Sequence, residues 1–178
     1  MGKKEQERSE LTYFLAEYQY ITGRVLKELY ACERPDFICV DEGGHTVGVE
    51  LTRIGNSPPE AVDSRVFWGD EPVPLDTLFD HVYAAVERKS QMVGSADWNT
   101  LDENILVLTM FDPVDPPLES WFSDESLVYE FVSYKFSEVW IADYSIVEAY
   151  GTVQLYGLYP VVYWGVHLHR KSGNKPYG

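Results

Sequence analysis

Residues 34–53 carry the pattern that decides the fold, RPDFICVDEGGHTVGVELTR. Two runs of alternating apolar residues flank the turn signal DEGG at residues 41–44, which predicts a β-hairpin. A three-residue loop at 42–44, with a glycine in the left-handed conformation, places Asp36 opposite Glu50. Because a one-residue slip moves every side chain to the other face, the apolar alternation favours this register over a four-residue loop.

The predicted register divides the hairpin into two faces. One face is wholly apolar and carries Phe37, Cys39, Val47, Val49 and Leu51. The other is apolar towards the turn and acidic at its open end, and carries Asp36, Ile38, Val40, Thr46, Gly48, Glu50 and Thr52. Neighbouring carboxylates repel each other. A bound Mg²⁺, a hard cation that takes carboxylate oxygens as ligands, would remove that repulsion.

Pro35-Asp36 and the later Glu50-Leu51-Thr52 resemble the motif of the PD-(D/E)XK nuclease superfamily. The resemblance covers about residues 10–112 and implies a restriction-endonuclease-like core. It also implies that Asp36, Glu50 and the backbone carbonyl of Leu51 hold Mg²⁺ or Mn²⁺. In that family a lysine two residues after the glutamate helps to activate the attacking water. Here the position is Thr52, which can hydrogen-bond to a metal-bound water but supplies no charge.

Residues 75–93 predict an amphipathic helix, and Lys89 lies on its apolar stripe. A lysine on a buried stripe either pairs with a carboxylate or extends its stem to keep the ammonium in water. Some branches of the nuclease family take the lysine from the helix that follows the hairpin. The resemblance therefore implies that Lys89 reaches Asp36 and Glu50. The alternative cations are Arg53 and Arg88.

A long first helix is predicted over residues 5–30, from apolar residues at three- and four-residue steps. Glu17 lies at the edge of its apolar stripe. The nuclease family often places a third acidic ligand on the first helix, which makes Glu17 the candidate for that role. The alternative interpretation of Glu17 is an ordinary charge flanking a half-exposed helix. Glu28 competes for the same role, but it is so close to Asp36 in the chain that little room remains for a turn.

The rest of the chain predicts alternating loops, strands and helices. In order these are a loop over 54–74, a buried strand over 104–111, a helix over 119–134, a buried strand over 138–142, one or two antiparallel edge strands over 146–166 and a basic tail over 167–178. The elements together indicate one domain of the α/β (α+β) class, with a mixed central β-sheet flanked by helices.

The 178 residues carry a formal net charge of −15. Nucleic-acid affinity comes largely from lysine and arginine, so this charge disfavours strong independent binding of nucleic acid. A local basic patch can nevertheless act within an acidic whole, and a basic protein partner suits the charge. The alternative to a nuclease is therefore a non-catalytic acidic interaction module, such as an immunity or antitoxin-like protein or a subunit of a larger complex.

The N-terminal residues MGKKEQER are charged, and no apolar segment follows them. We therefore expect neither a secretory signal nor a membrane span. Cys32 and Cys39 match no zinc-binding spacing. A cytoplasmic protein with both thiols reduced is expected.

Overall fold

The computed structural model describes residues 2–56, 71–132 and 135–167. The elements are α1 (Lys3–Thr22), β1 (Leu26–Ala31), β2 (Phe37–Asp41), β3 (Thr46–Ile54), β4 (Val73–Pro74), α2 (Leu75–Met92), β5 (Glu103–Met110), β6 (Val114–Asp115), 3₁₀ helices at Leu118–Ser123 and Glu125–Tyr129, β7 (Glu138–Asp143), α3 (Val147–Tyr150), β8 (Gln154–Tyr159), a 3₁₀ helix at Val161–Tyr163 and β9 (Gly165–His167). Among these residues, no helix has the length and apolar content needed to cross a membrane.

Seven strands form one mixed sheet in the order β1-β2-β3-β5-β7-β8-β9, and β4 pairs with β6 in a separate two-stranded sheet. β3, β5 and β7 are parallel at the centre, and the outer pairings are antiparallel. α1 packs against one face through Phe14 and Tyr18. α2 packs against the other through Val82 and Val86. A mixed sheet flanked by helices is the fold class that the sequence predicts.

The hairpin of β2 and β3 has the predicted register. Phe37 pairs with Val49, which is the last pair of the ladder, and the next residues, Asp36 and Glu50, are joined by a hydrogen bond from the Asp36 N–H to the Glu50 side chain. In the turn Gly44 adopts φ +82°, a left-handed conformation that glycine reaches without strain. The five residues of the apolar face are all buried in the cluster that packs on α1, namely Phe37, Cys39, Val47, Val49 and Leu51.

The second helix and the two buried strands also form where they are predicted. α2 spans Leu75–Met92, and the strands are β5 and β7 at the centre of the sheet. Alternate residues of β5 face opposite helices, so Val107 lies in the cluster with α1 and Leu106 in the cluster with α2. A strand buried on both faces has the continuous apolar sequence seen here.

The first helix is shorter than predicted, and the assignment of residues 23–30 to it is wrong. Gly23 caps α1 at φ +75°, in the left-handed conformation that commonly ends helices. The chain then reverses into β1, an edge strand antiparallel to β2. In β1 only Leu26 is buried, and Leu29 is 53% exposed. A few apolar residues at four-residue steps fit one face of a helix and alternate positions of a strand equally well. The end of the helix is therefore determined by Gly23.

The helix predicted over residues 119–134 is wrong as well, because two short 3₁₀ helices take its place in the described part of that segment. Asp124 lies between them with extended backbone and accepts hydrogen bonds from the backbone N–H and the hydroxyl of Ser126. Such a local side-chain bond competes with continued helical bonding. Residues 133 and 134 lie outside the described residues.

The predicted edge strands over 146–166 are present in modified form. The segment begins with the short helix α3, and β8 and β9 then pair antiparallel. β8 is not an edge strand, since β9 covers its outer side. The loop predicted over 54–74 is described only at its two ends, where residues 73–74 form β4, and the tail is described only at His167.

Candidate active site

The open end of the hairpin brings Asp36 and Glu50 together. β3 extends beyond its last pair with β2, so residues 50–54 pair with β5 alone among the described strands. The backbone N–H of Asp36 donates to Glu50 Oε2 at 3.1 Å. The backbone N–H of Leu51 donates to Asp36 Oδ2 at 2.9 Å. These two bonds fix the carboxylates side by side at the end of the pairing.

Lys89 of α2 contacts this pair through Glu50. Its Nζ lies 2.5 Å from Glu50 Oε1, and the two side chains are 17% and 4% exposed. Lys89 is on the same stripe of α2 as Val82 and Val86, so the helix face that packs on the sheet carries it to Glu50. Lys89 therefore contacts Glu50, one of the two carboxylates that the resemblance implies it reaches.

A second ammonium group, from the first turn of α1, holds Asp36. Lys4 Nζ lies 3.2 Å from Asp36 Oδ1, 3.0 Å from Glu7 Oε2 and 2.9 Å from the carbonyl oxygen of Cys32. Asp36 and Glu50 therefore each accept one backbone N–H and one ammonium group. Neither Lys4 nor Glu7 was predicted from the sequence to belong to the site.

Burial dominates the electrostatics of the pair, because Asp36 is 9% exposed and Glu50 is 3% exposed. Burial raises the pKa of the Glu50 carboxyl, and the charge of Asp36 raises it further, against the opposing effect of Lys89. Burial also raises the pKa of the Asp36 carboxyl, and the N–H of Leu51 opposes that rise. Desolvated neighbouring carboxylates remain charged more easily when a cation lies beside them.

The oxygen donors at this point suit a hard divalent cation. The carboxylates of Asp36 and Glu50 and the carbonyl of Leu51 are the ligand types that Mg²⁺ and Mn²⁺ prefer. Within the described ranges, no group of three or more His, Cys, Asp and Glu side chains is arranged to hold a metal ion. A metal ion here would thus have two carboxylate ligands, and it would compete with the Lys4 and Lys89 ammonium groups for their oxygens.

A cavity of about 240 Å³, called the main cavity below, is bordered by Lys89 and Leu51, which contact the two carboxylates, whereas Asp36 and Glu50 themselves are not among its lining residues. Its walls come from α1, β3, α2 and β5, and consist of Lys3, Gln6, Glu7, Glu10, Leu51, Thr52, Arg53, Arg88, Lys89 and Thr109. Four of these residues are cationic and two are acidic, in a chain whose net charge is −15. The surroundings of the site are therefore locally basic.

A second cavity of about 240 Å³, called the side cavity below, lies next to the main one and shares Arg53 and Arg88 with it. The Arg53 guanidinium lies 4.2 Å from the centre of the Phe111 ring and 3.1 Å from Glu10 Oε1. Arg88 is exposed. The two arginines that the sequence analysis named as alternative cations thus line both cavities, while Lys89 makes the contact with Glu50.

Thr52, at the position where the nuclease motif has lysine, lines the main cavity. The residue is 5% exposed, and within the described part of the chain its Oγ1 has no hydrogen-bond partner. Its side chain is on the α2 side of β3, as the predicted register requires. Thr52 and Lys89 therefore both border the main cavity, and Lys89 brings the charge that Thr52 lacks.

Glu17 is not brought to the carboxylates. It is 1% exposed on α1, whereas the acidic residues of α1 that line the main cavity are Glu7 and Glu10. β1 runs back along α1 from the turn at Gly23, so the first turns of the helix, and not its middle, lie beside Asp36. The sequence feature that could have indicated Glu7 and Glu10 is their helical spacing, which places them on the same stripe of α1 as Glu17.

Glu28, the competing candidate for the third acidic ligand, pairs with an arginine and not with the carboxylate site. It lies on β1 and pairs with Arg8 at 3.0 Å in a partly exposed ion pair.

No protein-family model, curated protein or solved structure matches the chain. The interpretation of the site therefore depends on its geometry and chemistry.

Proposed function

We propose that the protein is a metal-dependent nuclease of the PD-(D/E)XK kind, which hydrolyses phosphodiester bonds. The observation that carries the proposal is the contact of Glu50 with both Asp36 and Lys89, the last of which also lines a cavity with cationic walls. The order α1, β1, β2, β3, β4, α2, β5 gives further support, because it contains the sequence of helix, hairpin, helix and strand that the nuclease family uses in its core.

The proposed chemistry assigns a task to each group. Asp36, Glu50 and the carbonyl of Leu51 would hold Mg²⁺ or Mn²⁺, which supplies a bound water of lowered pKa and stabilises negative charge on phosphate. Lys89 orients Glu50 and favours its ionised form through their 2.5 Å contact. Its ammonium also favours the charge that develops on the phosphate oxygens in the transition state. Thr52 adds a hydrogen-bond donor without charge.

The acidic net charge is compatible with this proposal because the cations are concentrated where the substrate would bind. Lys3, Arg53 and Arg88 line the main cavity together with Lys89. Phosphate contacts by such side chains supply most of the sequence-independent affinity for nucleic acid. Both cysteines are free thiols, which suits the cytoplasmic location that we also propose.

A second candidate function is a non-catalytic acidic module that binds a basic protein. It is favoured by one observation, that the ammonium groups of Lys4 and Lys89 already neutralise the two carboxylates. The two candidates differ in what they require of Glu50. Hydrolysis requires its carboxylate for the metal ion, whereas a binding module requires only an intact fold and an acidic surface.

The test is hydrolysis of fluorogenic single- and double-stranded DNA and RNA with Mg²⁺, Mn²⁺ or EDTA. We expect metal-dependent cleavage by the wild type and a loss of about 100-fold or more in Glu50→Gln and Lys89→Met. Glu28→Gln, which removes a carboxylate from a partly exposed ion pair on β1, is the matched control and should cleave like the wild type.

Cleavage that persists in EDTA, or that Glu50→Gln leaves unchanged, would contradict the proposed nuclease. The absence of cleavage on every substrate, together with saturable binding of a basic protein, would support the second candidate instead.

A further inference from the structure

The Lys4 ammonium group lies where oxygen atoms from separate parts of the chain converge. Its Nζ is 3.2 Å from Asp36 Oδ1, 3.0 Å from Glu7 Oε2 and 2.9 Å from the carbonyl oxygen of Cys32. The centre of the Phe37 ring lies 5.5 Å from the same atom. Carboxylate and carbonyl oxygens are also the ligands that hard divalent cations prefer. Lys4 therefore neutralises, with a charge of the chain itself, oxygens of the kind that bind Mg²⁺ or Mn²⁺.

The two ammonium groups of the site take the carboxylate oxygens that the backbone does not use. Asp36 Oδ2 accepts the N–H of Leu51, and Glu50 Oε2 accepts the N–H of Asp36. Lys4 contacts the other oxygen of Asp36, Oδ1, and Lys89 contacts the other oxygen of Glu50, Oε1. Two cations on one oxygen atom repel each other. Coordination of a metal ion through Asp36 Oδ1 therefore requires that Lys4 move away.

Of the two lysines, Lys4 is the one that can leave without disturbing the packing of the fold. Its side chain is 36% exposed, against 17% for Lys89. Lys4 is the second residue of α1, and a lysine stem can extend to carry its ammonium group into water. Lys89 instead lies on the face of α2 that packs on the sheet. Glu7 keeps a cation when Lys4 leaves, because Lys3 Nζ lies 3.4 Å from its Oε1. Rotation of one side chain is thus enough to free Asp36 Oδ1.

We propose that Lys4 is an internal competitor for the metal site, which occupies its Asp36 end in the metal-free protein and moves into solvent when Mg²⁺ or Mn²⁺ binds. Without a metal ion, Lys4 offsets the repulsion between Asp36 and Glu50. With one, the cost of displacing Lys4 lowers the apparent affinity by the fraction of molecules in which Asp36 is open. The inference rests on the metal site of the proposed function, but not on hydrolysis of any substrate.

The test is a titration of the full chain with Mn²⁺ at constant pH and ionic strength, in which the free ion is measured by its electron paramagnetic resonance signal. Lys4→Met keeps the apolar stem and removes the ammonium group. We expect it to lower the dissociation constant for Mn²⁺ about tenfold, which corresponds to an open Asp36 in about one wild-type molecule in ten.

Arg8→Met is the matched control. It removes an equal charge one helical turn further along α1, from a partly exposed pair with Glu28 at 3.0 Å. Charges that water screens have little effect at a distance, so this variant should bind Mn²⁺ within about twofold of the wild type. A change confined to Lys4→Met would therefore reflect occupation of the site and not a general loss of positive charge.

The displacement of Lys4 can also be followed in the wild type, by NMR of the side-chain ε-methylene groups with isotope-labelled lysine. The Lys4 signal is identified by its loss in Lys4→Met. Addition of the diamagnetic ion Mg²⁺ should shift this signal to the position of an exposed lysine, because the side chain then leaves the Phe37 ring. This measurement needs no substitution in the protein that is titrated.

Equal Mn²⁺ affinity in Lys4→Met and wild type would overturn the proposal, and so would a Lys4 signal that stays in place at saturating Mg²⁺. If the Asp36→Asn/Glu50→Gln double variant abolishes binding in that case, the metal site itself remains. The nuclease proposal fails separately. Tighter Mn²⁺ binding by Lys4→Met, together with no metal-dependent cleavage of any nucleic acid, would support the role of Lys4 and contradict the nuclease alone.

Discussion

Replacing Lys89 with methionine tests the pairing at the centre of the site. The methionine keeps the apolar stem on α2 and removes the ammonium group that lies 2.5 Å from Glu50 Oε1. Glu50 is 3% exposed and keeps the hydrogen bond from the N–H of Asp36. The variant therefore leaves the buried Glu50 carboxylate beside that of Asp36 without its own cation, while Lys4 still pairs with Asp36.

Removing one partner of a buried ion pair costs about 3–5 kcal/mol, because the other charge remains desolvated. The Lys89 side chain is 17% exposed, so water offsets part of that loss. We therefore expect Lys89→Met to lower the free energy of unfolding by about 2–4 kcal/mol at neutral pH. For a chain of this length, each kcal/mol lowers the melting temperature by about 2–4 °C.

The cost should depend on pH with a definite sign. The pKa of the Glu50 carboxyl is already raised by burial above its ordinary value of 4.5, and loss of the Lys89 ammonium raises it further. A carboxyl whose pKa is higher in the folded state binds more protons there, so stability falls as pH rises through the interval between the two pKa values. The difference between Lys89→Met and wild type is therefore largest at neutral pH and shrinks as the solution becomes acidic.

The assay is urea unfolding followed by tryptophan fluorescence between about pH 5 and pH 8. Arg8→Met is the control, because it breaks the Arg8–Glu28 pair, whose side chains are 51% and 25% exposed, and should cost less than about 1 kcal/mol. Adding Glu50→Gln to Lys89→Met should recover part of the lost stability. If Lys89→Met costs no more than the control at every pH, the reasoning is refuted.

Three further variants test local features of the fold by the same unfolding assay. A Cβ at Gly48 would lie 2.6 Å from Cγ of Pro35, so Gly48→Ala should cost about 1–3 kcal/mol, and an unchanged midpoint would contradict this packing. Gly23 has φ +75° and open space around it, so Gly23→Ala should cost about 1 kcal/mol from backbone strain alone. Arg24 lowers the pKa of Asp41 to about 2. The stability from this pair is present above the ordinary value of 3.8 and is lost towards pH 2, so Asp41→Asn should lose less stability on acidification than wild type.

The features that the sequence predicts correctly depend on short-range pattern. The hairpin register follows from a glycine turn and from apolar alternation, and both are decided within twenty residues. The place of Lys89 on the buried stripe of α2 left two outcomes open, an acidic partner or a route to water, and the resemblance to the nuclease family favoured the acidic partner. Because the hairpin is short and this face of α2 packs on the sheet, Glu50 lies close enough for Lys89 to contact it.

The features that the sequence does not predict depend on where the chain reverses. A helix continued to residue 30 placed Glu17 at a suitable distance from Asp36. With the helix ended at Thr22, six residues of β1 cover about 20 Å, the length of about 13 helical residues. The return of the chain along β1 therefore places Asp36 beside Lys4 and Glu7. The length of this return could not be predicted from any local sequence pattern.

The cavities could not be predicted for a related reason. The main cavity is lined by four elements that are far apart in the sequence, and Arg88 and Thr52 become neighbours of the same space only after α2 packs on β3. Composition indicated an acidic protein. The locally basic site arises because the fold gathers four cations around one cavity.

Metal binding at the carboxylate pair is the most direct test of the central claim. Isothermal titration of Mn²⁺ should compare the wild type with the Asp36→Asn/Glu50→Gln double variant, after circular dichroism has confirmed that both are folded. We predict saturable binding by the wild type, with a dissociation constant between micromolar and millimolar, and none by the double variant. No binding by the wild type, or equal binding by the double variant, would contradict a metal site at Asp36 and Glu50 and with it the proposed nuclease.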